Sequence, residues 1–205
     1  MSFVILEGPN GVGKTTIVNN LSTLGIKTLS SPNGTPLAKM LRPACRGTEP
    51  WKDIDKQIQF LLFSAARLDE YIRVVKDSKE LVVADRWWTS TYVYQCCLEG
   101  FSEEFLEFTI HPNEQVNLVI LLDGNEDIII ERLNKEREKN PTHGKCTWTQ
   151  NSEITKKLIQ LYRYDLPLYL KHRKINYITI DTTNIDVNEV QNLIMQEVGK
   201  RELIK

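Results

Sequence analysis

The stretch FVILEGPNGVGKTT, residues 3–16, decides the fold of this 205-residue chain. Its first residues are apolar, as in a buried strand, and a helical pattern with Ile17, Val18 and Leu21 follows it. Between the two, residues 8–15 match the pattern G-x-x-x-x-G-K-[ST] in the strand–loop–helix setting that the pattern requires. The sequence therefore predicts a phosphate-binding loop, and a glycine-rich turn without a ligand is the less favoured alternative.

Each position of this loop has a physical task when a nucleoside triphosphate binds. The glycines let backbone N–H groups surround phosphate oxygens, and the following helix adds its positive N-terminal end. Lys14 is expected to reach the β- and γ-phosphates, and Thr15 is expected to ligate Mg²⁺. The predicted ATP-binding residues are Gly8, Pro9, Asn10, Gly11, Val12, Gly13, Lys14, Thr15 and Thr16.

Short apolar runs bounded by turn residues recur along the chain and predict further buried strands. They lie at residues 3–6, 81–84, 118–122 and 177–180, with a weaker run at 26–29. Helical spacing fills the stretches between them, and this alternation favours a parallel sheet covered on both faces. We predict an α/β fold of three layers, a five-stranded parallel sheet flanked by helices, forming one domain over residues 1–205.

The clearest helical segment lies between residues 54 and 75. Its apolar residues follow alternating steps of four and three: Ile54, Ile58, Leu61, Ala65, Leu68, Ile72 and Val75. This spacing predicts a long helix with one apolar stripe. Phe63 and Arg67 lie four residues apart and away from the stripe, so a ring and a guanidinium should form a ledge on another face.

Composition and charge exclude several classes of protein. Apolar residues make up 41% and charged residues 26%, as in folded soluble proteins. The formal net charge of -1 gives no basic field, so we expect neither nucleic acid nor a membrane as partner. The cysteines form no C-x-x-C pair and no targeting peptide is visible, which together predict reduced thiols and a cytoplasmic location.

The phosphate-binding loop alone leaves the activity open, because GTPases, ATPase motors and small-molecule kinases all use it. The chain has no N-K-x-D guanine-reading sequence, and it is short for a motor. Asp85 ends an apolar strand, where open α/β sheets bind ligands, so it could hold the Mg²⁺ shell. Arg86 beside it could bind a phosphate as a fork, although a structural Asp–Arg pair is the alternative.

Four motifs resemble those of thymidylate kinases, which belong to the nucleoside-monophosphate kinase group, and they occur along the chain in the same order as in that family. The pattern E-G-x-[DE]-G-x-G-K-T-T matches residues 7–16 apart from Asn10, and F-x-x-x-R matches residues 63–67. The pattern D-R-[YH]-x-x-S-x-x-A-Y-Q resembles residues 85–95, with Trp87 and Val93 substituted. Residues 32–38 resemble the P-G-G-T-x-L-A stretch of bacterial members, so the resemblance spans most of residues 3–165.

The resemblance implies an ATP-dependent, Mg²⁺-assisted kinase that converts dTMP to dTDP and forms a homodimer. Lys14 and Arg86 would stabilise charge, and Thr15 and Asp85 would hold the metal. Phe63 would stack on the pyrimidine, Arg67 would bind its carbonyl, and Tyr94 would disfavour a 2′-hydroxyl. The implied acceptor-binding residues are Asn10, Phe63, Arg67, Arg86, Ser90, Thr91, Tyr94 and Gln95.

The resemblance also implies a lid, which we place at residues 132–150. The part from residue 134 onward is rich in charge and has few apolar anchors, so we expect it to be mobile. Arg132 and Arg137 are the candidate catalytic cations there, with Lys135 and Lys145 as further candidates. The alternative is a solvated helix end, because acidic residues are interleaved at salt-bridging spacing.

Three departures from the family pattern lie on the acceptor side. Asn10 replaces an acidic residue, Trp87 is bulkier than the usual Tyr or His, and Ser30-Ser31 stands where bacterial relatives carry Arg-Glu. Arg42 could compensate for that lost phosphate contact. Two alternatives therefore stay open: a kinase for another or modified deoxynucleotide or a deoxynucleoside, and a nucleotide-dependent regulatory module.

Overall fold

The computed structural model describes residues 2–139 and 152–204, without the side chain of Arg137. The predicted lid therefore lies partly outside the described residues, and Lys145 lies wholly outside them. Five strands form: β1 (Ser2–Glu7), β2 (Lys27–Ser30), β3 (Leu81–Asp85), β4 (Leu118–Asp123) and β5 (Tyr177–Asp181). All five strands predicted from the apolar runs are confirmed.

Helices occupy the connections between the strands. They are α1 (Lys14–Thr23), α2 (Pro36–Cys45), α3 (Lys56–Glu70), α4 (Trp88–Thr91), α5 (Glu103–Phe108), α6 (Glu126–Lys139), α7 (Ser152–Gln160), α8 (Leu166–His172) and α9 (Val187–Lys200). Wider π-helical turns extend three of these segments, at Tyr71–Val75, Tyr92–Leu98 and Leu161–Asp165. No helix in these described parts of the chain is both long and apolar enough to cross a bilayer.

The sheet is entirely parallel, with the strand order β2-β3-β1-β4-β5. Residues of β1 alternate between two apolar cores, with Phe3 and Ile5 in one and Val4 and Leu6 in the other. A parallel sheet whose two faces are both covered explains why its strands are continuous apolar runs. The predicted three-layer α/β fold is confirmed, and it leaves the carboxyl ends of the strands free to form a site.

Helix α3 is confirmed, but most of its apolar stripe is exposed among the described residues. The exposed fractions are 51% for Ile58, 45% for Leu61, 37% for Leu68 and 48% for Ile72. An amphipathic helix normally turns such a stripe towards its own core. Here the buried face carries Phe60, Ala66, Arg67 and Glu70 instead.

Candidate active site at the carboxyl edge of the sheet

A cavity of about 910 Å3 opens at the carboxyl edge of the sheet, between the loop after β1 and the face of α3 that points inward. The predicted site residues that line it are Asn10, Gly11, Val12, Gly13, Lys14, Thr15, Thr16, Phe63, Arg67, Asp85, Arg86, Ser90, Thr91, Tyr94, Gln95 and Arg132. Gly8 and Pro9 lie just behind this lining, where Lys14 contacts their carbonyl groups. The tertiary structure thus brings segments far apart in the chain into one cavity.

The loop after β1 requires glycine at two positions for different reasons. Gly8 has a φ of 143°, and a Cβ there would lie 2.2 Å from the carbonyl oxygen of Leu122. Gly13 has a φ of 89° and precedes α1 without any side-chain cap. The first N–H groups of α1 therefore have no capping partner and are available to an anion.

Lys14 is buried at the bottom of the loop. Its Nζ donates hydrogen bonds to the carbonyl oxygens of Gly8 (2.8 Å) and Pro9 (2.7 Å). Burial and the neighbouring Arg86 lower the pKa of Lys14 to about 7, while Asp85 and Glu7 act in the opposite direction. The ammonium is therefore only partly charged near neutral pH, and a bound polyphosphate would favour its charged form.

We expect ATP binding to be accompanied by proton uptake at pH 8. The pKa of about 7 leaves Lys14 mostly neutral at that pH, and the nucleotide phosphates should raise this pKa. ATP affinity should accordingly fall as the pH rises above 7. Calorimetric titrations at pH 8 in buffers of different ionisation enthalpy measure the uptake directly. Lys14→Met should abolish it, and equal binding enthalpies in all buffers for the unmodified protein would contradict the expectation.

Glu7 connects the phosphate-binding loop to the segment after β3, a role that the sequence did not reveal. Its side chain is 0% exposed. It accepts hydrogen bonds from Thr89 Oγ1 (2.7 Å), Ser90 Oγ (2.9 Å) and the backbone N–H of Trp87 (3.1 Å). The Arg86 guanidinium lies 3.6 Å away. The sequence does show a charged residue, Glu7, at the end of a buried strand, which could have indicated a functional role. Its hydrogen-bond partners could not be identified in this way, because they lie about eighty positions further along the chain.

Arg86 lines the cavity directly after β3. Its Nη2 donates to Asn10 Oδ1 (2.6 Å), and its Nη1 donates to Ser90 Oγ (2.9 Å) and to the hydroxyl of Tyr162 (2.7 Å). Its φ of 70° is left-handed, which costs about 1–3 kcal/mol in a residue other than glycine. The surrounding contacts hold the residue in this strained conformation and aim the guanidinium into the cavity.

Two tyrosines reinforce the charge of Arg86. Its guanidinium carbon lies 5.7 Å from the ring centre of Tyr94 and 5.9 Å from that of Tyr162. Burial acts to lower the pKa of Arg86, but Tyr162, Tyr94 and Glu7 together raise it well above the usual value. Sequence reasoning missed Tyr162, because nothing in its local pattern links it to a residue 76 positions away.

Asp85 has the properties expected of a residue that holds a cation. It is 9% exposed, and its Oδ1 has no hydrogen-bond partner among the described residues. Burial raises the pKa of Asp85, while Lys14 and Arg86 act to lower it. A buried, unpaired carboxylate oxygen in the cavity that Thr15 also lines fits Mg²⁺ or its water shell.

Another part of the cavity is lined by Phe63 and Arg67, from the inward face of α3. Arg67 donates to Thr91 Oγ1 (2.8 Å) and Thr109 Oγ1 (3.1 Å). Burial lowers the pKa of Arg67 to about 10, with Glu114 opposing the shift, so the guanidinium stays charged at pH 7. Phe63 packs its partly buried ring against the apolar core and also lines the cavity. A ring and a charged donor therefore lie side by side.

Tyr94 and Gln95 line the cavity from the π-helical turn after α4. Tyr94 packs edge-to-face on Tyr162, with ring centres 6.3 Å apart. Gln95 is buried, and its Nε2 has no hydrogen-bond partner among the described residues. Buried donors without a partner are rare in folded proteins, so the Gln95 amide is available to a polar ligand.

Arg132 lines the cavity from α6. Its guanidinium donates to Thr182 Oγ1 (3.1 Å) and to the Thr182 carbonyl (2.9 Å), which connects α6 to the loop after β5. Ile185 and Val187 line the cavity nearby. Among the other lid candidates, Lys135 is exposed and forms an ion pair with Glu131, while the Arg137 side chain lies outside the described residues.

Comparisons with known proteins identify the family of this chain. The family model described as thymidylate kinase matches residues 6–194. A probable thymidylate kinase of Methanosphaera stadtmanae is 27% identical, over 95% of this chain and 97% of the relative. One from Methanococcus aeolicus is also 27% identical, over 98% of both chains. The structure of a thymidylate kinase from Candida albicans has the same fold, with a TM-score of 0.73 at 16% identity, over 98% of this chain and 92% of that one. The chain belongs to the thymidylate kinase family.

Proposed function

We propose that this chain phosphorylates dTMP to dTDP with ATP as the phosphoryl donor. The observation that carries the proposal is a single cavity that joins a phosphate-binding loop to an acceptor end, with Arg86 between them. Membership of the thymidylate kinase family supports the same reaction. Two phosphate groups meeting at Arg86 and Lys14 would be held in position for direct transfer.

The donor half would bind ATP through the loop of residues 8–15. Its backbone N–H groups and Lys14 would hold the β- and γ-phosphates. Thr15 and Asp85 would hold Mg²⁺, which would neutralise charge on the β- and γ-phosphate oxygens when bound. Arg132, which lines the same cavity, would add positive charge that stabilises the transferring group.

The acceptor half would orient dTMP with its phosphate on Arg86 and its base on α3. Phe63 would stack on the pyrimidine ring, and Arg67 would donate to a ring carbonyl. Tyr94 would lie against the sugar and disfavour a 2′-hydroxyl. Because the attacking phosphate is already an anion, the reaction needs no strong general base, and positioning and charge stabilisation provide most of the catalysis.

Two further parts of the proposal concern chain organisation. We take residues 1–205 as one kinase domain and residues 132–150 as a lid within it. A lid that brings Arg137 over the phosphates would exclude water and stabilise the charge of the transferring group. A cytoplasmic location is also proposed, and the free thiols of Cys45, Cys96 and Cys97 support it.

The test of the function is ADP release from ATP across a panel of acceptors. We expect dTMP to be turned over well above dCMP, dAMP, dGMP and UMP, with Lys14→Ala as the background control. A different preferred monophosphate would overturn the thymine assignment, and preferred turnover of thymidine would identify a nucleoside kinase. Nucleotide binding without turnover of any acceptor would favour a regulatory module.

The outward stripe of α3 supports a homodimer. Its exposed residues are separated alternately by three and four positions, as in a heptad repeat: Ile58, Leu61, Ala65, Leu68 and Ile72. The order of residue types is therefore the same when the stripe is followed from either end. An antiparallel pair of α3 helices related by a two-fold axis at Ala65 would place isoleucines on isoleucines and leucines on leucines. Alanine at the crossing point would let the two helices approach closely.

We expect Leu61→Glu to convert the dimer to a monomer. Two-fold symmetry would bury two unpaired carboxylates in one interface and weaken self-association by about 100-fold or more. Mass measured by light scattering during gel filtration checks this result. Leu168→Glu is the matched control, since Leu168 is 68% exposed on α8, away from the stripe. A monomeric unmodified protein at micromolar concentration, or a Leu61→Glu protein of dimer mass, would contradict the proposal.

A further inference from the structure

Glu70, the last residue of α3, is a buried carboxylate to which the proposed reaction with dTMP assigns no role. Its side chain is 0% exposed. Ser31 Oγ donates a hydrogen bond to Oε2 (2.5 Å), and the backbone N–H groups of Asn33 (2.8 Å) and Gly34 (2.6 Å) both donate to Oε1. Hydrogen bonds to an ionised carboxylate are stronger than those between neutral groups. Glu70 therefore fastens the segment of residues 31–34 to α3.

The fastened segment forms part of the cavity wall. Its residues 31–33 line the cavity together with Phe63 and Arg67 of α3. At its start, the Ser31 N–H donates a hydrogen bond to the Asp85 carbonyl oxygen (3.1 Å) at the end of β3. The segment is thus held at one end by the sheet and at the other end by α3.

The position of Glu70 on α3 relates this wall to the proposed base site. Glu70 follows Arg67 by three residues, so the two buried side chains lie on the same face of the helix. Arg42, which also lines the cavity, donates a hydrogen bond to the Pro32 carbonyl oxygen (3.1 Å) within the segment. Any movement of the segment away from α3 would therefore displace both a wall of the cavity and a contact of one of its cations.

The contacts of Glu70 indicate that it acts through hydrogen bonds and not through an ion pair. Among the described residues, no cation lies within ion-pairing distance of its carboxylate. Burial raises the pKa of Glu70, while the three donors of the segment and the charge of Arg67 act to lower it. A glutamine amide could form the same contacts, because its oxygen accepts two N–H groups and its NH2 can donate to the Ser31 hydroxyl.

We propose that Glu70 is a positioning residue that holds the segment of residues 31–34 against α3 and thereby sets the affinity for the acceptor nucleotide. The inference rests on the proposed function, because the segment lines the cavity in which dTMP would bind. Glu70 acts through the segment and contacts neither substrate. A wall that is ordered before dTMP arrives lowers the entropy cost of binding, so the effect falls on acceptor binding and not on phosphoryl transfer.

Two conservative variants separate the reach of the Glu70 side chain from its charge. Glu70→Asp keeps the charge but withdraws the carboxylate from the segment by one methylene group. We expect it to raise the KM for dTMP by about tenfold or more, with kcat and the KM for ATP within about threefold of the unmodified enzyme. Glu70→Gln keeps the reach without the charge and should leave all three constants within about threefold. ADP release with dTMP and ATP varied in turn measures them.

Asp69→Ala is the matched control. Asp69 precedes Glu70 and also connects α3 to the start of α2, since its Oδ2 accepts a hydrogen bond from Thr35 Oγ1 (2.6 Å). Thr35 is outside the lining of the cavity. We therefore expect Asp69→Ala to lower the melting temperature without raising the KM for dTMP, and thermal unfolding of all three variants shows which are folded at the assay temperature.

The outcomes separate this inference from the proposed function. A folded Glu70→Asp protein with an unchanged KM for dTMP would overturn the inference and leave the function standing. A large rise in this KM in Glu70→Gln would also overturn it, whether or not Glu70→Asp folds, because the charge and not the anchor would then matter. An equal rise in Asp69→Ala would show a merely structural role. Absence of dTMP turnover by the unmodified enzyme would instead remove the proposed function.

Discussion

Arg86→Ala is expected to lower kcat/KM for dTMP by about 10³-fold or more, because the guanidinium would contact both the acceptor phosphate and the transferring group. Its fixed position depends on three side-chain partners, Asn10, Ser90 and Tyr162. Arg86→Lys keeps a positive charge but not the fork, so it should recover only part of the loss. Steady-state ADP release with dTMP as the varied substrate measures both variants.

The controls for Arg86 address folding and acceptor choice. Thermal unfolding of each variant shows whether Glu7, left without its neighbouring cation, destabilises the protein. ATP affinity should change far less than dTMP turnover, since the donor loop keeps Lys14. A loss of less than tenfold in a folded Arg86→Ala protein would contradict the assigned role. If the true acceptor is a nucleoside, the variant should retain activity on thymidine.

Glu7→Gln is expected to lower kcat/KM for dTMP by about 10- to 100-fold, the range of one or more lost hydrogen bonds to a charged group. The change removes the negative charge near Arg86 while keeping the size of the side chain. In the unmodified protein, the carboxylate accepts hydrogen bonds from Thr89, Ser90 and Trp87. The amide NH2 group of glutamine is itself a donor, so it cannot accept them all. Arg86 would lose part of the framework that holds its left-handed conformation.

Thr89→Val is the matched comparison for Glu7→Gln. It removes one neutral donor to the same carboxylate, in an equally buried place, and leaves the charge intact. We expect a smaller catalytic loss, with ATP affinity and the melting temperature measured in parallel. Equal losses in the two variants would show that Glu7 acts through packing of the loop and not through its charge.

Local sequence patterns carry the parts of the fold that depend on neighbouring residues. A buried parallel strand must be apolar on both faces, so the runs at 3–6 and 118–122 predicted β1 and β4 correctly. The phosphate-binding loop is equally local, because its glycines and Lys14 act within one turn of chain. The predicted roles of Phe63 and Arg67 came from a family resemblance, and the structure places both side chains in the cavity.

The orientation of α3 shows where local reasoning ends. Periodicity reveals that a helix has an apolar stripe, but it cannot tell whether the chain's own core or another surface covers that stripe. The same limit applies to Tyr162, which supports Arg86 through a contact with a distant segment. Such contacts depend on how α2, α3 and the segment after α7 pack, and hydrophobic packing is not directional.

By itself, the sequence determined the parallel α/β sheet, the donor loop and the family, since each rests on short-range spacing that backbone geometry imposes. Only the tertiary structure decided that Glu7 links the two halves of the site, that Arg86 is held in a strained conformation and that the α3 stripe faces outward. The physical reason is that these features arise from charges and surfaces brought together by folding, and a buried charge takes its role from whichever distant partner neutralises it.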